Sequence, residues 1–85
     1  MSDKLDIMIL GKSLRIAAEN ADELNNLQLA ARILDQKMNN IRNQNPSTPI
    51  EKIAILAALN STHELLLFQK EVEQHLDKIQ DLVVG

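Results

Sequence analysis

Hydrophobic and polar residues alternate along the first part of the chain, on both sides of Gly11. This alternation is typical of two β-strands, and a glycine supplies the positive φ that a tight turn needs. The pattern predicts a β-hairpin with one apolar face, which carries Leu5, Ile7, Ile9, Leu14 and Ile16. Because an isolated two-stranded hairpin is marginally stable in water, we expect this face to lie on a helix or on a second copy of the chain.

A helical spacing of apolar residues follows the hairpin. Asn20 and Glu23 have the spacing of a capping box, which predicts the start of a helix. Apolar residues then recur in steps of three and four, and Ala30 and Ile33 widen the resulting stripe of Leu24, Leu27, Ala31, Leu34, Met38 and Ile41. The other face is expected to face solvent and consists of Asn25, Asn26, Arg32, Asp35, Gln36 and Asn39. The helix should end within residues 43–46, because the residue before a proline is disfavoured in the helical region.

A second helix is predicted to begin at Pro49, with Thr48 as its N-cap and Glu51 at the third helical position. Because no glycine or proline follows before Gly85, this helix can run for about 35 residues, or ~50 Å. Its first part is expected to pack on the first helix and the hairpin through a broad apolar face formed by Ile53, Ala54, Leu56, Ala57, Ala58 and Leu59.

Further along the second helix the apolar pattern narrows to the a and d positions of successive heptads. These positions are Leu65, Phe68, Val72, His75, Ile79 and Leu82. No remaining segment can cover this stripe, so it predicts an oligomer interface with a dimer as the minimum, and Leu76 and Val83 at flanking e positions favour more than two helices. The predicted fold is α+β: a small head of a β-hairpin and one helix, followed by a long C-terminal helix that forms a coiled-coil or helical-bundle oligomer. We expect the head to comprise residues 1–60 and the oligomerisation stalk residues 61–85.

Composition and charge argue against several classes of function. A chain of 85 residues forms one domain and buries only ~60% of its unfolded surface when it folds alone. The net charge is −3, and without a basic stripe the chain lacks the electrostatic term on which nucleic-acid binding depends. Cysteine is absent, which excludes disulfides and thiolate zinc sites. The first residues hold no apolar run of signal length and nowhere do ~18 uncharged apolar residues occur together, so we expect a cytoplasmic protein with no leader and no membrane segment.

Candidate chemistry is sparse. His63, Glu64 and His75 are the residues that invite a metal or acid/base interpretation, yet neither histidine has the i, i+4 partner of a helical zinc pair. There is no glycine-rich phosphate loop and no serine beside a plausible base, so we predict no catalytic residue, metal or cofactor. His75 is interpreted as a polar residue of the oligomer interface that sets the register of the helices. Alternatively, its protonation loosens this interface below pH ~6.

Three segments, taken together, resemble one bacterial protein family. Residues 9–15 look like a strand, a glycine with a basic residue, and a strand ending in arginine. Residues 30–38 are similar to a pattern of Ala-Ala, Leu-Asp and Lys-Met. The most specific segment is residues 51–60, which read Glu-Lys-Ile-Ala-Ile-Leu-Ala-Ala-Leu-Asn and continue to His63, Glu64 and Leu65. These segments resemble the ZapA family of bacterial cell-division proteins.

The resemblance implies a cytoplasmic protein at the division site that assembles as a dimer and then as a dimer of dimers. Proteins of this family bind the tubulin-like GTPase FtsZ and cross-link or align its filaments. The positions that match the family's partner-facing pattern are Lys12, Arg15, Arg42, Glu51 and Asn60. Glu51 is also explained as a capping residue and Lys12 as a solvated turn residue, whereas an amide such as Asn60 inside an apolar helix needs partners if it is buried.

Two features depart from the family pattern. Ser61 and Thr62 stand where an apolar and a small residue are expected, and the stalk is short, so the dimer is a firmer expectation than the tetramer. Two other functions stay open. The chain could be a generic dimeric helical adaptor for another assembly, or a dimeric nucleic-acid-binding regulator, which would bind DNA with a steep salt dependence.

Overall fold

The structure, a computed structural model, describes the backbone of residues 3–84 and the side chains of residues 3–78. Two strands, β1 (Asp3–Ile9) and β2 (Lys12–Ala18), precede two helices, α1 (Ala21–Gln44) and α2 (Ile50–Val84). This order confirms the predicted α+β fold.

The two strands pair in an antiparallel hairpin whose register agrees with the alternation in the sequence. Leu5 lies opposite Ile16 and Ile7 lies opposite Leu14, and residues directly opposite each other share a face of the sheet. The predicted apolar face is therefore confirmed. The turn places both Leu10 (φ 51°) and Gly11 (φ 78°) in the left-handed region, as two-residue hairpin turns of type I′ require. Leucine is an unusual residue at the first of these positions, because a side chain there makes the left-handed conformation unfavourable.

Helix α1 begins and ends where the sequence predicts. The Asn20 side chain accepts a hydrogen bond from the Glu23 backbone N–H (2.8 Å), while the Glu23 carboxylate accepts one from the N–H of Glu19 (3.0 Å). In a capping box the glutamate accepts the N–H of the N-cap residue itself. Here the Glu23 carboxylate instead accepts the N–H of the residue before the N-cap. Along the stripe Met38 is buried and the other predicted members are half-buried. The prediction that Ala30 and Ile33 widen the stripe was wrong, since both residues are exposed.

Helix α2 begins at Ile50, one residue later than predicted. The carbonyl of Pro49 accepts the first helical hydrogen bond, from the N–H of Ile53 (3.0 Å), which makes Pro49 rather than Thr48 the N-cap. The helix then continues for 35 residues.

The core joins one strand and both helices through Ile9, Met38, Ile53 and Ala57. Ile53 is 1% exposed and Ala57 is 0% exposed, so α2 contacts α1 along a narrow line of residues four apart. The prediction of a broad packed face was wrong for the residues on either side of this line, which are exposed: Ala54, Leu56, Ala58 and Leu59. In the described part of the chain α1 is the only helix beside α2, and a contact between two helices covers only one stripe of each.

Helix α2 extends far beyond this core. At 1.5 Å per residue it is ~52 Å long, comparable with the longest dimension of the chain, 55 Å. Beyond the core α2 therefore projects from the head, and its side chains from residue 61 to residue 78 are exposed among the described residues.

Candidate functional site

The projecting part of α2 presents the heptad positions predicted from the sequence. We call Leu65, Phe68, Val72, His75 and Leu76 the seam. The apolar members are exposed by 56% (Leu65), 61% (Phe68), 41% (Val72) and 53% (Leu76), and His75 is exposed as well. The predicted interface residues Ile79 and Leu82, and the flanking Val83, lie outside the described side chains. A contiguous exposed apolar surface of this kind usually marks an interaction site.

The seam continues toward the head along the same side of α2. Ala54, Ala58 and Ser61 precede Leu65 in steps of four and three, which places them on one side of the helix. Because these side chains are small, another helix can approach the backbone closely there. Thr62, the second departure from the family pattern, donates its hydroxyl to the Ala58 carbonyl (2.8 Å).

This side of α2 leads into a groove of about 340 Å³ on the head. Its apolar lining consists of Ile9, Leu14, Leu34, Met38, Ile50 and Ala54. Two candidate partner-binding residues of opposite charge, Lys12 and Glu51, lie on the same groove. The structure therefore brings these two together beside an apolar surface that is continuous with the seam.

Arg15 lies on the opposite face of the hairpin. Its guanidinium forms a two-point ion pair with Asp6, with distances of 2.8 Å (Nε to Oδ1) and 3.3 Å (Nη2 to Oδ2). The hydrogen bond and the charge of Arg15 lower the pKa of the Asp6 carboxyl, and those of Asp6 raise the pKa of Arg15. Both side chains are exposed, so solvent screens the pair and its main effect is to orient the guanidinium.

Arg42 lies beside the hairpin turn, at the end of a chain of hydrogen bonds. Its Nη2 donates to the Asn39 side-chain oxygen (2.7 Å), and Asn39 Nδ2 donates to the backbone carbonyl of Asp35 (2.9 Å). The Asp35 carboxylate accepts a hydrogen bond from the Leu10 N–H (2.7 Å). We call these four residues the turn network.

The solvent-facing position predicted for Asp35 and Asn39 was wrong, since both are half-buried. The hairpin turn packs on that side of α1, and its Leu10 N–H needs an acceptor. Sequence periodicity did not reveal this, because it reports apolar contacts and Asp35 makes a polar one.

Asn60 joins the two helices. Lys37 Nζ donates to the Asn60 side-chain oxygen (2.7 Å) and to Glu64 Oε1 (2.9 Å). Asn60 is exposed rather than buried. Its bond to Lys37 therefore reflects the contact between the two helices and not the need of a buried amide for a partner. The sequence analysis named Lys37 only as part of the family pattern and did not predict this contact. Its side chain is 20% exposed, against 60% for Glu64, so Lys37 is the more buried member of the ion pair.

Within the described residues, no three potential metal-ligating side chains lie together. Neither of the two helices, over the same residues, has a stretch long and apolar enough to cross a bilayer.

Comparison with known proteins agrees with the resemblance found in the three segments. The family model for cell division protein ZapA matches residues 5–83. A cell division protein ZapA from Pseudomonas aeruginosa is 37% identical over 82 residues, which cover 96% of this chain and 78% of that protein.

Two solved structures have a similar fold. One is an unknown conserved bacterial protein from Pseudomonas aeruginosa PAO1, with a TM-score of 0.76 and 36% identity over 96% of this chain and 89% of the other. The second is a mutant ZapA dimer from Geobacillus stearothermophilus, with a TM-score of 0.71 and 20% identity over 94% of this chain and 91% of the other. Since the family model covers nearly the whole described chain, this protein belongs to the ZapA family of cell division proteins.

Proposed function

We propose that the protein is a non-enzymatic assembly factor that binds FtsZ filaments and cross-links or aligns them at the cytoplasmic division ring. Membership of a cell-division family supports a role in cell division. The exposed seam of α2 is the observation that supports the cross-linking of filaments by an oligomer. In this proposal residues 1–60 form a filament-binding head and residues 61–85 form a stalk. The stalk joins two or more heads into one particle.

The energetics of the seam favour a dimer that also uses the head groove. Complete burial of a large apolar side chain contributes roughly 1.5–3 kcal/mol, and the four apolar seam residues are already about half covered, so each protomer gains roughly 3–6 kcal/mol. Two protomers together gain about 6–12 kcal/mol, which is comparable with the ~4–15 kcal/mol that association costs. We infer that the second protomer also covers the groove and the side of α2 that carries Ala54, Ala58 and Ser61.

Opposite charges on the groove fit a two-fold symmetric pair. In such a dimer the same surface meets itself, so a residue of one protomer faces a different residue of the other. Lys12 and Glu51, which share the groove, then have partners of opposite sign across the interface.

If the second protomer covers the groove, Arg15 and Arg42 are the principal filament contacts among the five candidates. Lys12 and Glu51 lie at the groove, and Asn60 is engaged by Lys37. Arg15 and Arg42 lie on surfaces that the groove and seam do not use. Two heads held on one stalk bind separate filaments, and the second contact gains from effective concentration.

The experiment uses the double variant Leu65→Asp with Val72→Asp, which places charges on the seam. We expect sedimentation to show monomers and filament bundling, measured by light scattering and electron microscopy, to be lost. Gln74→Asp adds a charge on the far side of the same helix and serves as the matched control, with wild-type mass and bundling expected.

Two results would contradict the proposal in different ways. If wild-type protein does not co-sediment with FtsZ filaments at low salt, the partner is wrong and an adaptor for another assembly is favoured. If the double variant is monomeric yet bundles filaments as well as wild type, the bridging mechanism is wrong.

A further inference from the structure

Arg42 is more constrained than an exposed arginine usually is. Such a side chain ordinarily samples many rotamers, and a bond to a neighbouring side chain restricts it. Here Arg42 Nη2 donates to Asn39 across one helical turn (2.7 Å). The other N–H groups of the guanidinium remain available for a ligand.

Asn39 is itself held in place, so the restriction extends to the hairpin. Its amide nitrogen donates to the Asp35 carbonyl (2.9 Å), and the Asp35 carboxylate receives the N–H of Leu10 (2.7 Å). Leu10 occupies the left-handed region with φ 51°, which a non-glycine residue adopts only when its surroundings stabilise it. The turn network therefore fixes the guanidinium relative to the turn.

The surface beside Arg42 combines a guanidinium with apolar contacts, and the carboxylate in its lining, that of Asp35, already accepts the Leu10 N–H. A depression of about 380 Å³ is lined by Met8, Leu10, Gly11, Asp35, Asn39 and Arg42. The planar guanidinium matches the geometry of a carboxylate, to which it can donate two parallel hydrogen bonds. Met8 is 67% exposed and offers a flexible apolar contact.

We propose that Asn39 and Asp35 are positioning residues that hold Arg42 beside the hairpin turn, where its guanidinium receives a carboxylate of the filament partner. An apolar side chain of the same partner segment lies on Met8. This inference rests on the proposed function and specifies the chemistry of the filament contact. Neither positioning residue touches the partner; each acts through Arg42.

The discriminating variant is Asn39→Asp. An aspartate three residues before Arg42 can pair with it on the helix surface, so the guanidinium stays ordered but its charge is already neutralised. The added charge weakens binding only if the group that Arg42 receives is negative, so an uncharged partner group predicts unchanged filament binding by a folded Asn39→Asp protein. We expect instead about tenfold weaker binding in co-sedimentation, the size of one lost hydrogen bond to a charged group. Arg42→Gln should weaken binding by a similar factor.

Two further variants complete the design. Asn39→Ala keeps the charge of Arg42 and releases it from the helix, so binding should weaken severalfold, and this variant tests the inference if Asn39→Asp does not fold. Asn26→Asp makes the same charge change ~20 Å away along α1, where Asn26 is exposed, and should bind as wild type does.

A measurement on the protein alone separates the inference from the proposed function. NMR relaxation of the Arg42 Nε–Hε group should show an ordered side chain in wild type and a mobile one in Asn39→Ala. Equal mobility in both proteins overturns the positioning role, and so does wild-type filament affinity in both Asn39 variants. If wild type and Asn26→Asp both fail to bind FtsZ filaments, the docked carboxylate falls with the proposed function, while the relaxation data still decide whether Asn39 holds Arg42.

Discussion

Removing the Asp35 carboxylate should destabilise the head by an amount that the structure allows us to estimate. In Asp35→Ala the Leu10 N–H loses its acceptor, which lies at 2.7 Å in the wild-type protein. A hydrogen bond to a charged group contributes ~1.5–3 kcal/mol, and because Leu10 is only half-buried water replaces part of it. We therefore expect a loss near the lower end, ~1.5 kcal/mol. Asp35→Asn keeps an acceptor oxygen without the charge and should lose about half as much.

Urea denaturation followed by circular dichroism measures this loss. The protomer concentration must be the same for all variants, because oligomerisation adds to the apparent stability. At ~0.05–0.15 kcal/mol per residue the whole chain has about 4–13 kcal/mol of stability, so the expected shift in midpoint is readily resolved. Asp77→Ala removes an exposed carboxylate from the stalk and should stay within ~0.5 kcal/mol of wild type. An Asp35→Ala protein as stable as the Asp77→Ala control would refute the role assigned to this bond.

Two further predictions concern the turn and the hairpin ion pair. Gly11→Ala should cost ~1–2 kcal/mol in the same denaturation assay, because φ is 78°. Apart from the two neighbouring residues, no described atom lies within 4 Å of the added Cβ, so a much larger loss would contradict this account. Because Arg15 lowers the pKa of Asp6 in the folded state, the pair stabilises the protein above the usual carboxyl value of 3.8, and this contribution is lost as the pH falls through the folded pKa. An NMR titration of Asp6 should give a higher pKa in Arg15→Gln, whereas equal pKa values would contradict the pairing, and the midpoint of unfolding at neutral pH should barely change since both groups are exposed.

The candidate partner residues illustrate how far the sequence leads. The family pattern selected Lys12, Arg15, Arg42, Glu51 and Asn60 as one set. The structure distributes them over four places: the groove, the outer face of the hairpin, the turn and the contact between helices. A pattern of residue types gives no directions in space, so it could not separate residues that face a partner from those that hold helices together.

Polar contacts that depend on distant residues were missed altogether. Asp35 and Leu10 are 25 positions apart, and Lys37 and Glu64 are 27 apart. No local spacing rule links such residues. The position of Asp35 in helix α1 suggested only a solvated face, because a polar residue on an amphipathic helix usually faces water.

By itself the sequence determined the local structure and the exposed seam of this protein. Alternation, a capping pair and proline positions depend on neighbouring residues, and the hairpin, the start and end of α1 and the length of α2 follow from them. Only the tertiary structure decided which apolar residues of the head are buried, because that depends on the narrow line along which two helices touch. It alone also revealed the turn network, since the backbone group that Asp35 satisfies belongs to a turn that packing brings beside α1.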